Sequence, residues 1–205
     1  KDEQIVGEYT LNIKKTHSQR LLPLINQILI DTGFDKKDLS GIAVTSGPGS
    51  FTGIRIGMAT AKGLAQALDI PLVGVPTLDI IASQFIHTEY LVCPMLDARR
   101  NQVYTAIYKN CDVEPRRLSE YMAISLDSFL QILNNFPEKG FLFPGDALAV
   151  YEPYLRENLK DKYLPLPPPH KLNRGGIVAW VGYKRVESGA NSELYNLSPL
   201  YVRKP

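Results

Sequence analysis

The chain has 205 residues, 44% hydrophobic and 21% charged, and its 23 basic and 21 acidic residues leave a formal net charge of +2. That length lies between one large domain and two small ones. The composition excludes disordered, collagen-like and coiled-coil chains, and the near-balanced charge excludes a polyelectrolyte that binds nucleic acid over its whole surface. No stretch reaches the roughly 18 apolar residues of a membrane span. Two cysteines, Cys93 and Cys111, make neither a disulfide framework nor a four-cysteine zinc site. His17, His87 and His170 are too far apart to form an HExxH or HxxxH pair. A cytoplasmic, reduced, metal-free protein is the expectation.

In chain order, Ile5, Val6, Tyr9, Leu11 and Ile13 predict a strand with imperfect alternation. A chain that opens in mid-strand leads us to expect missing N-terminal strands. Thr16–His17–Ser18 predicts a helix start. Leu21, Leu22, Ile25, Ile28 and Leu29 follow at helical spacing as one apolar stripe, and Gly33 ends the helix. Ile42–Thr45 predicts a strand, 51–68 a helix, and Leu72–Val75 a second buried strand. Pro76–Thr77 opens a helix through Phe85, and Leu91–Leu96 is a third strand. Alternating strand and helix predicts an α/β fold with parallel strands.

The back half begins near Asp97. Gln102–Tyr108 predicts a strand, with Val103, Thr105 and Ile107 on one face and Tyr104, Ala106 and Tyr108 on the other. A short helix over Asp127–Leu133 and a strand over Phe141–Phe143 follow. Tyr163–His170 contains Pro165, Pro167, Pro168 and Pro169 and predicts an extended connection. Gly176–Glu187 predicts a helix anchored by Ile177, Trp180 and Val181. Leu200–Val202 predicts a closing strand. The expected domains are 1–95 and 96–205.

The segment Ser46-Gly47-Pro48-Gly49-Ser50-Phe51-Thr52-Gly53 links a strand to a helix. Its glycines permit a sharp turn and close approach by a ligand. The helix start offers free N–H groups and a positive dipole end, and Ser50 and Thr52 add hydroxyls. That is a recipe for holding phosphate, although neither GK[ST] nor GxGxxG is present. The plainer reading is a tight turn capped by Ser50. The following helix repeats Gly53, Gly57, Ala61 and Ala65 every four residues, so one face carries almost no side chain. Something packs close to that face, either the chain's own sheet or helix or a helix of another subunit.

Asp97 with Arg99 and Arg100 is suited to sensing a phosphate or a nucleic-acid backbone, and more often such a group is an internal ion pair at a strand end. Lys14, Lys15, His17 and Arg20 form a modest basic cluster, read as a solvated face or a nucleic-acid contact. Cys93 reads as a buried thiol. Trp180 and the tyrosines read as core and rim. Asn196-Leu197-Ser198 matches a glycosylation sequon that a cytoplasmic protein would not use.

The blocks "GPGSFTGIRIGMATAKGLAQAL" and "PLVGVPTLD" resemble the TsaB (YeaZ) family of the tRNA threonylcarbamoyladenosine pathway. "THSQRLLPLI" resembles that family's first-helix signature, "MLDARRNQVYTAIY" its aspartate-arginine strand and "LSPLYVRKP" its closing segment. The resemblance is strong over residues 5–108 and in the tail, and weak over 109–195. It implies an actin, sugar-kinase and Hsp70-like fold with two α/β subdomains, each on a ribonuclease-H-like sheet. It also implies a noncatalytic partner of the transferase TsaD, joined by the ATPase TsaE, in threonylcarbamoyl transfer to the adenosine beside the tRNA anticodon.

TsaD-type proteins carry two metal-binding histidines four residues apart. The matching positions here are Thr77 and Ile81, so no metal and no catalytic residue are expected; Asp79, on the same helix, reads as a capping or solvated carboxylate. The superfamily's Asp-Thr-Ser phosphate loop is not present in the sequence. The resemblance implies pairing through the first two helices, over about 17–31 and 52–67. The interface candidates are His17, Leu21, Leu24, Ile25, Ile28, Gly53, Gly57, Ala61 and Leu64. The phosphate or nucleotide candidates are Ser46, Gly47, Pro48, Gly49, Ser50 and Thr52. No intrinsic cofactor is expected, with ATP or ADP admitted at the interface of the assembled complex. The expected partners are TsaD, TsaE and, alone, a second copy, with tRNA reached through the complex and no membrane. The alternative class is a stand-alone enzyme, either a TsaD-like metallopeptidase or a sugar-kinase-like ATPase.

Overall fold

A parallel pair of strands organises the front of the chain. β1 (Ile42–Gly47) and β2 (Leu72–Pro76) align Ile42 with Leu72 and Val44 with Gly74, and α2 (Phe51–Leu68) connects them. Successive strand side chains point to opposite faces, and the packing partners separate those faces. Val44 faces Gly57 of α2, whereas Ala43 and Val73 face Gly182 of α6 (Gly175–Glu187). α2 and α6 therefore cover opposite sides of the pair. Met58, Ala61, Ala65, Leu72 and Leu197 form the core on the α2 side.

This is a computed structural model, and it describes residues 4–11, 20–110, 115–167 and 174–203. The chain forms two units, Lys1–Pro76 with Arg174–Leu200, and Thr77–Asn173 with Tyr201–Pro205. The sequence placed one boundary at 95/96. The division instead falls at 76/77, and the chain returns to the first unit because α6 packs on β1 and β2. The outer edge of β2 is closed by that returning stretch. Glu193 N–H donates to Leu72 O at 2.8 Å, Leu72 N–H donates to Ser192 Oγ at 3.1 Å, and the Arg185 guanidinium donates to Gly74 O. Bonds of this kind satisfy an edge that would otherwise present unpaired backbone groups.

Also in the first unit, α1 (Leu21–Thr32) ends at Gly33 in the left-handed conformation, as predicted. Residues 4–11 are not a strand among the described residues, and Ile13 and the predicted helix start at 16–18 lie outside them. Ile5, Val6, Tyr9 and Leu11 are exposed. Leu200–Val202 is also not a strand, since Leu200 N–H makes one bond, to Ser46 O at 2.8 Å, without a ladder.

The second unit begins with α3 (Thr77–Ala82), continued by a 3-10 turn to Phe85. The predicted strand Leu91–Leu96 is two strands, β3 (Leu91–Val92) and β4 (Met95–Asp97), separated at Cys93–Pro94. Pro94 has no N–H to continue a ladder. The facing strand breaks at the same level into β5 (Gln102–Thr105) and β6 (Tyr108–Asn110). One sheet of order β10-β9-β3-β6-β7 and another of order β4-β5-β8 result. The added strands are β7 (Pro115–Arg117), β8 (Met122–Ser125), β9 (Phe141–Leu142) and β10 (Tyr163–Leu164). α4 (Leu126–Leu133) and α5 (Leu148–Leu159) pack on the core around Phe129, Phe141 and Phe143. Sequence reading missed α5 because Pro153 lies inside it, and proline normally marks a helix break.

Candidate functional site

The glycine turn is built from the end of β1. Gly47 has φ +113°, a left-handed conformation that suits glycine, and a Cβ there would stand 3.0 Å from Leu200 O. Ser46, Gly47 and Pro48 are buried, whereas Gly49, Ser50 and Thr52 are exposed. Ser50 caps α2: its Oγ accepts from Gly53 N–H at 3.3 Å, and its carbonyl accepts from Ile54 N–H at 2.9 Å. The capping role is thus met within the chain, and only Gly49, Ser50 and Thr52 of the six phosphate candidates reach outward.

The small-residue face of α2 meets the chain's own sheet. Ala61 is 6% exposed and lies in the core beside Ala65 and Leu72. A Cβ on Gly57 would touch Val44 Cγ2 at 3.8 Å, and one on Gly53 would touch Ser50 at 3.4 Å. Ala61 is buried and Gly57, half-buried, lies over Val44, so both pack toward the chain's own sheet. Leu64 and Gly53 are half-buried.

α1 is different. Seven of its twelve residues are Leu or Ile, and none is buried. Leu22 is 53% exposed and Ile30 63%, on one broad side of the helix. Leu21, Leu24 and Ile25 are half-buried. The other end is covered from within: a Cβ on Gly7 would stand 3.3 Å from Ile28 Cγ1 and 2.8 Å from Thr32 Cγ2, and the Tyr9 hydroxyl donates to the Asp31 carboxylate. Ile28 thus packs against its own chain. Sequence reading did not include Leu22 and Ile30 among the contact residues, although hydrophobicity along the helix marks both. His17, with Lys14 and Lys15, lies outside the described residues.

Thr77 and Ile81 are buried at 5% and 2% exposure, and Ile81 lies in a core cluster with Leu78 and Val92. Among the described residues, no group of three or more His, Cys, Asp or Glu side chains is arranged to hold a metal. Asp79 is half-buried and bonded within the chain. Its carboxylate accepts from Tyr108 Oη at 2.6 Å and from Tyr121 Oη at 2.8 Å. Burial and that carboxylate push both phenols up, while the Arg117 guanidinium, 3.9 Å above the Tyr121 ring, lowers Tyr121 in part. Cys93 is buried as expected, and burial pushes its thiol up. Asp97 pairs with Arg99 at 3.3 Å at the end of β4. No helix among the described residues is long and apolar enough to cross a membrane.

The comparisons with known proteins agree in direction. The family model described as "TsaD: tRNA N6-adenosine threonylcarbamoyltransferase" matches residues 4–172. A Bacillus subtilis protein named "tRNA threonylcarbamoyladenosine biosynthesis protein TsaB" is 31% identical over 203 residues, 99% of this chain and 86% of that protein. The Haemophilus influenzae protein of the same name is 30% identical over 161 residues, 75% of this chain and 68% of that one. A solved structure described as "an uncharacterized protein with similarity to peptidase YEAZ from Pseudomonas aeruginosa" superposes with a TM-score of 0.77 at 25% identity. That superposition covers 93% of this chain and 86% of the other. The fold is the actin, sugar-kinase and Hsp70-like α/β fold that the sequence predicted. With a model match over most of its length and a relative aligned over nearly all of it, the chain belongs to the TsaB/YeaZ family, within the wider TsaD group.

Proposed function

We propose that the chain is a noncatalytic subunit of the machinery that transfers a threonylcarbamoyl group to the adenosine beside the tRNA anticodon. It docks the catalytic subunit TsaD through α1 and the outward side of α2 and favours its active state. TsaE joins the assembly, and ATP or ADP binds at the interface of the assembled complex. The exposed Gly49, Ser50 and Thr52 are the residues of this chain suited to meet its phosphates. Alone, the same face pairs with a second copy. The reading places the protein in the cytoplasm, where it reaches tRNA through the complex.

One observation carries the reading: a helix of twelve residues, seven of them Leu or Ile, has none buried within its own chain. Fully burying one such side chain is worth about 1.5–3 kcal/mol relative to leaving it exposed. Two exposed anchors are therefore enough to decide whether a partner stays bound. Thr77 and Ile81 support the noncatalytic role, since neither side chain supplies an imidazole and both are buried.

The test replaces Leu22 and Ile30 together with lysine. The expected result is loss of the heterodimer with TsaD and of the homodimer on a sizing column, with the thermal midpoint unchanged. A reconstituted transfer assay with TsaD, TsaE, tRNA, ATP and the threonylcarbamoyl adenylate should then lose its dependence on this chain. Pairing that survives both lysines refutes the docking face. Transfer that proceeds equally well without the chain refutes the subunit role.

A further inference from the structure

The turn between β4 and β5 holds three consecutive non-glycine residues in the left-handed region: Arg99 at φ 62°, Arg100 at 55° and Asn101 at 56°. Gln102 N–H donates to Arg99 O at 3.1 Å, closing a tight turn with Arg100 and Asn101 at its centre. Two-residue hairpin turns with positive φ favour Asn, Asp or Gly at both centres. Asn101 meets that demand. Arg100, the other centre, does not, and Arg99 just before it is also left-handed, where an L side chain crowds the following carbonyl. A residue kept in a poorly populated conformation is held by its surroundings, and such residues gather at functional sites.

The surroundings here are specific. Ala98 N–H donates to Gln102 O at 3.0 Å, and Arg99 N–H donates to Asp97 Oδ1 at 2.8 Å. Asp97 N–H donates to Asp146 Oδ1 at 3.1 Å, and Arg203 Nη1 donates to Gln102 Oε1 at 3.0 Å. Three separate stretches of the chain thus fix the turn. The arginine side chains themselves point away from any core: Arg99 is 85% exposed and Arg100 is exposed. Asp97 Oδ2 steadies the Arg99 guanidinium at 3.3 Å, while both aspartates spend a carboxylate oxygen on the backbone of the turn.

We propose that Arg99 and Arg100, presented side by side on this braced left-handed turn, grip phosphates of an RNA backbone. The proposal rests on the tRNA-modifying role above and adds a direct RNA contact made by this chain within the assembly. A guanidinium presents a planar fork of donors that matches two phosphate oxygens. Protein–nucleic acid contacts fall largely on phosphates, where such groups set position rather than sequence preference.

The test is a titration of a transcribed tRNA, read by fluorescence anisotropy across a salt series, with the full chain alone and with its catalytic partner. Arg99→Gly with Arg100→Asn suits the left-handed backbone, so the unfolding midpoint should hold or rise. Affinity should fall roughly tenfold. The slope of log affinity against log salt should become shallower by about one to two. Arg99→Lys with Arg100→Lys, which keeps both charges, should restore most of that slope. Unchanged tRNA affinity in the Gly/Asn variant overturns the proposal, as does a wild-type chain that binds no tRNA either alone or with the partner. A variant that keeps tRNA but loses the partner on a sizing column also overturns it, and assigns the arginines to carboxylates of a protein surface. The chain-alone titration needs no catalytic partner, so docking to that partner and RNA contact fail separately.

Discussion

Asp79 shows how one side chain takes its meaning from distant residues. Its partners Tyr108 and Tyr121 stand 29 and 42 residues away in the chain. Tyr108 is almost wholly buried, so its hydroxyl has no access to water if the carboxylate is removed. A buried donor left without an acceptor costs about 1–3 kcal/mol. Asp79→Ala should therefore lower the urea midpoint by an amount in that range. Tyr108→Phe in the Asp79→Ala background should recover part of the loss, because it removes the stranded hydroxyl. Equal midpoints for wild type and Asp79→Ala would contradict the network. Alternation along Gln102–Tyr108 placed Tyr108 on the same predicted face as Tyr104 and Ala106. Nothing local to residue 79 named its partners.

Among the elements, α6 and α2 show what periodicity captures and what it leaves open. The sequence correctly predicted a helix near 176–187 from Ile177, Trp180 and Val181, but these anchors are only half-buried. Gly182 is buried against the sheet, whereas Gly176 lies against Ile5 and Glu8. A Cβ on Gly182 would stand 2.3 Å from Ala43 Cβ and 3.3 Å from Val73 Cγ2, so the helix rests directly on β1 and β2. Gly182→Ala pushes α6 off the strands, and overpacking of this kind costs about 1–3 kcal/mol. A clear drop in thermal midpoint is expected; an unchanged midpoint would show that α6 can move away freely. Gly57 has 3.8 Å of room to Val44 at its own Cβ position, so Gly57→Ala should be mild. Gly57→Leu would strike Val44 within the chain, and it is not a clean probe of a partner surface. The α1 lysine variants are cleaner because Leu22 and Ile30 already face outward.

At the scale of the whole molecule, the first unit is assembled from two stretches far apart in sequence. Glu8 and Arg174 join them across 166 residues with a 2.8 Å ion pair. The Arg174 hydrogen bond holds the Glu8 carboxyl below its ordinary value of 4.5, aided by N–H groups of Gly176 and Gly175 and opposed by burial. A depressed carboxyl pKa contributes stability that is fully present above the ordinary value. That contribution is lost as pH falls through the lowered folded value. Urea midpoints measured at about pH 6 and about pH 3 should diverge more for wild type than for Glu8→Gln. The same pH loss in both would remove Glu8 as a tie.

The sequence by itself determined most of the helices and the family. Apolar spacing placed α1, α2, α4 and α6, glycine and proline chemistry placed the turns after β1 and α1, and the glycine block carried the resemblance. Each of these signals lies within a few turns of chain, so it survives without knowledge of the rest. Only the tertiary structure decided which small residues meet the chain's own sheet, where the chain re-enters its first unit, and which carboxylate holds two tyrosines. It also decided that two arginines sit on a left-handed turn. Those outcomes depend on pairings between residues far apart in sequence. Burial is settled by the partner that closes over a residue, not by the residue's own periodicity.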